Sequence, residues 1–217
     1  MNKEWSELNK AFQTQVKKES SFAEGIDTIL ILRQSLMEEL FCMKQTLNRE
    51  DFNAMPFPNV NGFHSKTIAY SVWHIFRIED IVAHSLILND SEIFQAYRDD
   101  IGAPINTTGN ELVGKQITEF SEKLDLAALY AYAAAVKSST DELLKQLSYR
   151  DLRRKFGDAD KTRLQQLQVV SMDENACWLI DYWCGKDVSG LLRMPFSRHW
   201  IMHIEACLRI KSKIYPQ

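Results

Sequence analysis

The sequence predicts an all-α fold, a four-helix bundle with additional short helices. Glycine and proline are scarce, with 8 and 5 residues in a chain of 217, whereas all-β folds use both freely in turns. Apolar residues recur at intervals of three and four over several long segments, as in amphipathic helices. With 45% hydrophobic residues, the chain can bury a core of its own, so a single domain over residues 1–217 is expected.

The first half of the chain contains two predicted bundle helices. Residues 5–18 predict a polar helix, and residues 1–21 are interpreted as an N-terminal extension. Residues 22–47 form the first predicted bundle helix, and residues 65–88 form the second. A loop with two prolines and a glycine separates them and is expected to cover one end of the bundle. The two apolar stripes are Ile26, Ile29, Leu30, Arg33, Leu36, Met37 and Leu40, and Ile68, Val72, Ile75, Ile78, Val82 and Leu86.

The second half contains two further long helices. The alanine-rich residues 125–147 have high helix propensity, and a last helix is expected from Pro195 to about residue 213, because proline suits a first helical turn. Two stretches with the form of a capping box, 108–111 and 171–174, predict helix starts near Asn110 and at Ser171. The second of these helices is expected to end at Gly185. Residues 148–170 are assigned to no element.

Charge and composition exclude several classes of protein. The net charge is −3, and the 26 basic and 29 acidic residues are interspersed, so there is no basic surface of the kind that binds nucleic acid. The N-terminus lacks the apolar core of a signal peptide, and no apolar stretch is long enough to span a bilayer. Four cysteines without a C-x-x-C pair are expected to be reduced thiols. A cytoplasmic protein with no membrane partner is expected.

Two histidines of the last helix have the spacing of metal ligands. Residues four apart on an α-helix differ by about 40° in direction, so His199 and His203 project side by side. The same face carries Phe196, Trp200, Ala206, Cys207 and Ile210, so it is expected to point into the core. Buried imidazoles need partners for their ring nitrogens, and a metal ion provides one. The alternative is that the pair only packs and forms hydrogen bonds in the core.

The third ligand has to come from another helix, and His74 is the best candidate because it borders the apolar stripe of residues 65–88. His84 lies about 80° away on the helical wheel and is expected on the exposed side. His64 precedes the helix and is a weaker alternate, reachable only if residues 57–63 fold over the site. Five charged residues near these ligands are expected to be solvated or in surface pairs: Arg77, Glu79, Asp80, Arg198 and Glu205.

Two segments resemble the DinB-like (YfiT-like) family of four-helix-bundle proteins. Residues 67–75, TIAYSVWHI, are similar to the family's second-helix motif, in which an aliphatic run ends in a metal-binding histidine. Residues 197–205, SRHWIMHIE, are similar to its last-helix motif, H-x-x-x-H-I followed by an acidic residue. The likeness extends from about Phe22 onwards, although residues 148–170 depart from the compact family pattern. The resemblance implies that the metal ligands are His74, His199 and His203.

The family includes thiol-dependent transferases and isomerases, and members without the metal. The resemblance therefore implies a metal-dependent enzyme acting on a small molecule, an S-transferase or isomerase that uses a low-molecular-weight thiol. Three imidazoles leave a divalent ion with open positions, and zinc or nickel is expected, with iron or copper as alternatives. The alternatives in function are a metal-dependent hydrolase and a non-enzymatic, stress-related bundle with a vestigial or absent metal site.

A second apolar arc on the last helix, formed by Ile201, Ile204 and Leu208, faces away from the histidines. Either another helix of the chain or a second copy must cover it. In the second case the protein is a homodimer.

Overall fold

The computed structural model describes residues 2–60 and 62–216, which form helices joined by turns and loops. These residues contain no strand, only an isolated bridge between Lys155 and Asp187. The all-α prediction is confirmed. The α-helices are α1 (Lys3–Gln15), α2 (Phe22–Thr46), α3 (Arg49–Asn53), α4 (Ile68–Asp80), α5 (Phe94–Ile101), α6 (Lys115–Ser121), α7 (Leu126–Gln146), α8 (Asp158–Gln166), α9 (Trp178–Cys184), α10 (Val188–Arg193) and α11 (His199–Ile214).

Two of the long helices contain a π-helical segment. The first π segment, Ile81–Leu88, continues α4, and the second π segment, Met194–Arg198, leads directly into α11. Short 3-10 turns lie at Glu19–Ser21, Gly62–His64 and Asp151–Arg153. The four long helices predicted from apolar spacing, alanine content and Pro195 are therefore present to within a few residues. These signals could not show that two of the helices contain π turns.

The helix α4 lies at the centre of the molecule. It contacts α3, α6, α7 and α11, and every residue of α4 is buried. The side chain of Thr67 caps its start by accepting a hydrogen bond from the Tyr70 amide. Because α4 has neighbours all round, its polar residues cannot reach solvent and must find partners inside the protein.

The N-terminal helix α1 packs along α2. Trp5 and Phe12 are buried, and the indole nitrogen of Trp5 donates a hydrogen bond to Ser35 Oγ over 2.9 Å. Gly25 permits this contact, because a Cβ atom at that position would lie 2.8 Å from Val16 Cγ1. The segment interpreted as an extension thus contributes buried side chains to the core.

Both predicted capping boxes are wrong. Residues 108–112 form a loop in which Thr108 Oγ1 donates to Asn110 Oδ1, and the next helix, α6, begins only at Lys115. Ser171 Oγ accepts a bond from the Asp173 amide within a turn, and α9 begins only at Trp178. Hydroxyl and carboxamide side chains stabilise turns with the same bonds that cap helices, so the pattern does not separate the two cases. Gly185 does follow the end of α9, as predicted.

Residues 148–170, left unassigned from the sequence, contribute a 3-10 turn and α8. Leu152 and Leu164 are buried, and α8 packs against α9 and the first π segment. The short helices α5 and α10 were not predicted either. These helices have only six to nine residues, so they depend on the surfaces they cover, and their apolar pattern is too short to reveal them.

The apolar arc of α11 is covered by the chain itself. Ile201 and Ile204 are buried in the same core as residues of α2, α4 and α7. This arc therefore does not require a second copy. All four cysteines are free thiols, as expected; Cys184 and Cys207 are buried, whereas Cys42 and Cys177 are exposed. No helix in the described part of the chain is long and apolar enough to cross a membrane.

Candidate metal centre

The three histidines chosen from the sequence lie together in the core. His74 projects from α4, while His199 and His203 project from the first two turns of α11. One ring nitrogen of each lies within 4.8 Å of the others, and the ring centroids are 4.5 to 5.1 Å apart. Within residues 2–60 and 62–216, this is the one group of three or more histidine, cysteine or acidic side chains with such spacing.

The spacing is compatible with one shared ion. Zinc–nitrogen bonds of about 2.0–2.1 Å place the nitrogens of a tetrahedral site roughly 3.4 Å apart. The separations here are at most 4.8 Å, so modest rotations of the rings are enough to bring the three nitrogens onto one ion. The cluster could therefore bind a metal.

Hydrogen bonding fixes the orientation of the first histidine. His74 Nδ1 lies 2.7 Å from the backbone oxygen of Thr108, and because a carbonyl only accepts, Nδ1 carries the proton. The lone pair is then on Nε2, the atom free to bind a metal. Tyr70 stacks on the imidazole with ring centroids 5.4 Å apart, and its hydroxyl donates to the Gly109 carbonyl over 2.9 Å. Two consecutive carbonyls of one loop thus hold this side of the site.

The other two histidines have unpartnered nitrogens. Nδ1 of His199 and Nδ1 of His203 are buried and make no hydrogen bond. A buried polar atom without a partner costs about 1–3 kcal/mol, so structural histidines normally pair both ring nitrogens. The three imidazoles therefore fit a metal-binding site better than a cluster of structural histidines held by hydrogen bonds.

Burial also sets the protonation state of the ligands. It lowers the pKa of His74 to about 4, although the bond to Thr108 acts in the opposite direction. Burial lowers the pKa of His199 and that of His203 well below the usual value, and repulsion between the neighbouring imidazoles adds to the effect. All three rings are therefore neutral near pH 7, which is the form that binds metals.

A cavity of about 560 Å³ opens beside the cluster. His74 and His203 form part of its wall, so a molecule in the cavity can reach the ligands. The wall also includes Phe63 and Tyr70, together with Pro58, Asn59, Val60, Gly62, Ser65, Lys66, Asn110, Val113, Gly114, Ile117 and Asn175. The site is buried but accessible to a small molecule.

Several residues shortly before α4 line the cavity beside the triad, whereas from the sequence this loop was expected only to cover one end of the bundle. Phe63 packs against His203 with ring centroids 5.8 Å apart. His64 packs against Phe63 with ring centroids 4.2 Å apart and does not belong to the metal-ligand group. The weaker alternate ligand is thus near the triad but outside it.

The prediction that His84 is exposed is wrong. Its exposed fraction is 5%, its Nδ1 donates to Asp90 Oδ1 over 2.7 Å, and its Nε2 accepts from Ser139 Oγ over 3.1 Å. The helical wheel assumed a regular α-helix, whereas His84 lies in the first π segment and faces α7.

The Ser139–His84–Asp90 order matches that of a catalytic triad. Ser139 lies inside α7, however, and the amides there bond within the helix and cannot form an oxyanion hole.

The prediction of solvated charges beside the ligands is wrong for three residues. Arg77, Glu79 and Asp80 are fully buried, while Arg198 is exposed as expected. Arg77 pairs with Glu92 over 2.6 Å and donates two bonds to the Asn106 carbonyl. These residues point away from the triad, as the wheel indicated, but towards other helices and loops and not towards water.

A buried ion pair lies between the helices that carry the ligands. Arg33 of α2 donates to both oxygens of Glu79 over 2.7 and 2.8 Å and to Asp141 of α7 over 2.6 Å. The indole nitrogen of Trp200, next to His199, donates to Glu79 over 2.7 Å. Arg33 also donates to the Phe196 carbonyl in the second π segment over 3.1 Å. One guanidinium therefore links α2, α4, α7 and the start of α11, and fixes where the two ligand-bearing helices meet.

Sequence reasoning missed the backbone carbonyl of Thr108 and the side chains of Lys66 and Tyr70. Every residue type has a backbone carbonyl, so this contact could not be predicted from the sequence. Arg33 did indicate a buried ion pair, because it lies in the apolar stripe of its helix, where a charged residue must have a partner.

No protein-family model matches the chain, and no curated protein is detectably similar to it in sequence.

Proposed function

We propose that His74, His199 and His203 bind one divalent metal ion and that the protein is a metal-dependent enzyme of the DinB-like four-helix-bundle type. Zinc or nickel is the expected ion, with iron or copper as alternatives. One observation carries the proposal: three buried neutral imidazoles converge beside a cavity of about 560 Å³. A structural zinc site is closed by four protein ligands, whereas three ligands next to a cavity leave a position for substrate.

The substrate class we propose is a small molecule that reacts with a low-molecular-weight thiol, in an S-transfer or an isomerisation. When bound, the metal holds the thiol as thiolate, a strong nucleophile near neutral pH. The protein supplies the rest: Thr108 orients His74, and Phe63 with its loop shields His203 from solvent. Exclusion of water protects a thiolate and its electrophile from side reactions.

The lining of the cavity favours thiol transfer over hydrolysis. None of the described residues that line it is an aspartate or a glutamate. A metal-dependent hydrolase commonly uses a carboxylate as general base beside the metal-bound water. A thiol bound at the three histidines would release its proton to solvent on binding, so its later attack on an electrophile would need no such base. Hydrolysis therefore remains the second candidate, and a bundle without enzymatic activity is the third.

The first experiment measures the metal content of protein purified without an affinity tag. We expect about one equivalent in the wild type and almost none in a variant with His199→Ala and His203→Ala. The matched control is His84→Ala, which removes a buried, hydrogen-bonded imidazole outside the cluster. Equal, substoichiometric metal in all three proteins would exclude the metal site.

The second experiment tests the chemistry. The metal-loaded protein is incubated with each of several cellular thiols and an electrophilic acceptor, and thioether formation is followed. Turnover that disappears in His74→Ala supports thiol transfer. Metal binding without any thiol turnover, combined with hydrolysis of activated esters, would favour the hydrolase instead.

A further inference from the structure

Lys66 is the only aspartate, glutamate, lysine or arginine among the described residues that line the cavity beside the histidines. Besides Tyr70 and the two histidines, the polar wall residues are the carboxamides Asn59, Asn110 and Asn175 and the hydroxyl of Ser65. The cavity thus presents one positive charge and several neutral hydrogen-bonding groups. Such a wall is complementary to an anionic group.

Lys66 is also incompletely paired. Its ammonium group donates to the Leu112 carbonyl over 3.3 Å and lies 4.8 Å from the centre of the Tyr70 ring. An ammonium has three donors, so two remain for other partners. Among the described residues Lys66 forms no ion pair within 4.0 Å, and burial lowers the pKa of its ammonium group. A half-buried cation without a counter-ion is costly unless a ligand supplies one.

Lys66 and His74 lie beside the same aromatic ring of the cavity wall. The Lys66 ammonium is 4.8 Å from the centre of the Tyr70 ring, and His74 stacks on that ring with centroids 5.4 Å apart. The Lys66 charge also contributes to lowering the pKa of His74 and that of His203. A ligand that contacts both the ammonium and the triad therefore needs two functional groups.

We infer that Lys66 is a specificity-determining residue that binds a carboxylate of the substrate while the substrate's reactive sulfur reaches the triad. This inference rests on the proposed function, because the metal would bind the sulfur of the substrate while Lys66 binds its carboxylate. Charge-assisted bonds from an ammonium to a carboxylate are about twice as strong as neutral ones. Thiols with a carboxylate should therefore bind more tightly than neutral thiols of the same length.

The test compares 6-mercaptohexanoate with 6-mercaptohexanol on the cobalt-loaded protein, using the sulfur-to-cobalt absorption band to measure binding. We expect the carboxylate to bind about tenfold more tightly, as one partly desolvated ion pair allows. Lys66→Gln keeps a donor for Leu112 but removes the charge, so it should reduce the ratio of the two affinities to about one. Lys66→Arg should retain most of the preference.

Lys115→Gln is the matched control, because Lys115 follows the wall residue Gly114 but is exposed and paired with Glu119 over 3.0 Å. It should leave the ratio unchanged. A wild-type ratio near one, or a ratio that Lys66→Gln does not alter, would overturn the inference.

A third arm separates this inference from the thiol proposal. If neither thiol produces the absorption band, thiol binding fails, and hexanoate and hexanol are compared by calorimetry, because they need no sulfur–metal bond. Hexanoate binding that weakens about tenfold in Lys66→Gln would uphold the role of Lys66. Equal or absent binding of hexanoate in both proteins would reject it.

Discussion

His74 Nδ1 donates a hydrogen bond to the backbone carbonyl of Thr108 over 2.7 Å, so a loop orients a candidate ligand carried by α4. The next residue, Gly109, has φ of +77° and accepts the hydroxyl of Tyr70, which stacks on the same imidazole. The conformation of two loop residues therefore controls the direction of one histidine ring. Metal affinity should depend on this loop even though it contributes no ligand.

Substitution of Gly109 should weaken metal binding. In Gly109→Ala the new Cβ would lie 3.1 Å from Tyr70 Cε2, and the left-handed φ is unfavourable for alanine. We expect a roughly tenfold loss of zinc affinity, measured by competition with a chromophoric chelator. Gly114→Ala is the control, because Gly114 also has a positive φ, +51°, but open space around it. Equal losses in both variants would mean that backbone strain alone, and not the contact with Tyr70, is responsible.

Breaking the buried ion pair should destabilise the fold strongly. Arg33→Met leaves Glu79 buried without its bidentate partner, and we expect the free energy of unfolding in urea to fall by about 3–5 kcal/mol. Adding Glu79→Gln removes the stranded charge and should recover much of the loss. Lys145→Met breaks an exposed pair with Glu142 and should have no comparable effect, because water and salt screen an exposed ion pair. Similar losses in the buried and exposed variants would contradict this account.

The metal-free protein should lose stability as the pH falls from about 6.5 to 4. Unfolded imidazoles bind protons below about pH 6.5, whereas burial lowers the pKa of folded His74 to about 4. The unfolded state therefore binds more protons in this interval, and the free energy of unfolding decreases with acidification. His74 alone contributes about 3 kcal/mol, and His199 and His203 act in the same direction.

This pH effect is measured by denaturant unfolding at a series of pH values with a chelator present. His74→Gln has no titrating ring at this position, so its stability should depend less steeply on pH than that of the wild type. Parallel pH profiles for the two proteins would show that carboxylates and other histidines account for the whole dependence.

Metal should stabilise the protein through the triad. At a free zinc concentration one hundred times the dissociation constant, the free energy of unfolding should rise by about 2.7 kcal/mol. His203→Ala should abolish most of this increment. His84→Ala should keep it, even if the variant is less stable without metal, because His84 bonds to Asp90 and Ser139 outside the cluster. A zinc increment that His203→Ala leaves intact would place the ion elsewhere.

The sequence by itself determined the long helices and the candidate triad. Both follow from the regular geometry of the α-helix, in which about 3.6 residues per turn fix the face of each side chain. Four-residue spacing placed His199 and His203 on one face, and the apolar stripe placed His74 on the inner side of its helix. Arg33 also lies within an apolar stripe, a position that signals a buried charge, but no partner for it was predicted.

The tertiary structure decided what surrounds these helices. A helical wheel assumes α geometry and one buried face, but α4 is buried on all sides and continues as a π-helix. For this reason Glu79 and Asp80 are paired inside the protein and His84 is covered. The loop carbonyl of Thr108 and the charge of Lys66 beside the cavity also depend on which distant segments pack together. Apolar periodicity identifies the buried face of a helix, but only the packing of the whole chain determines which residues contact that face.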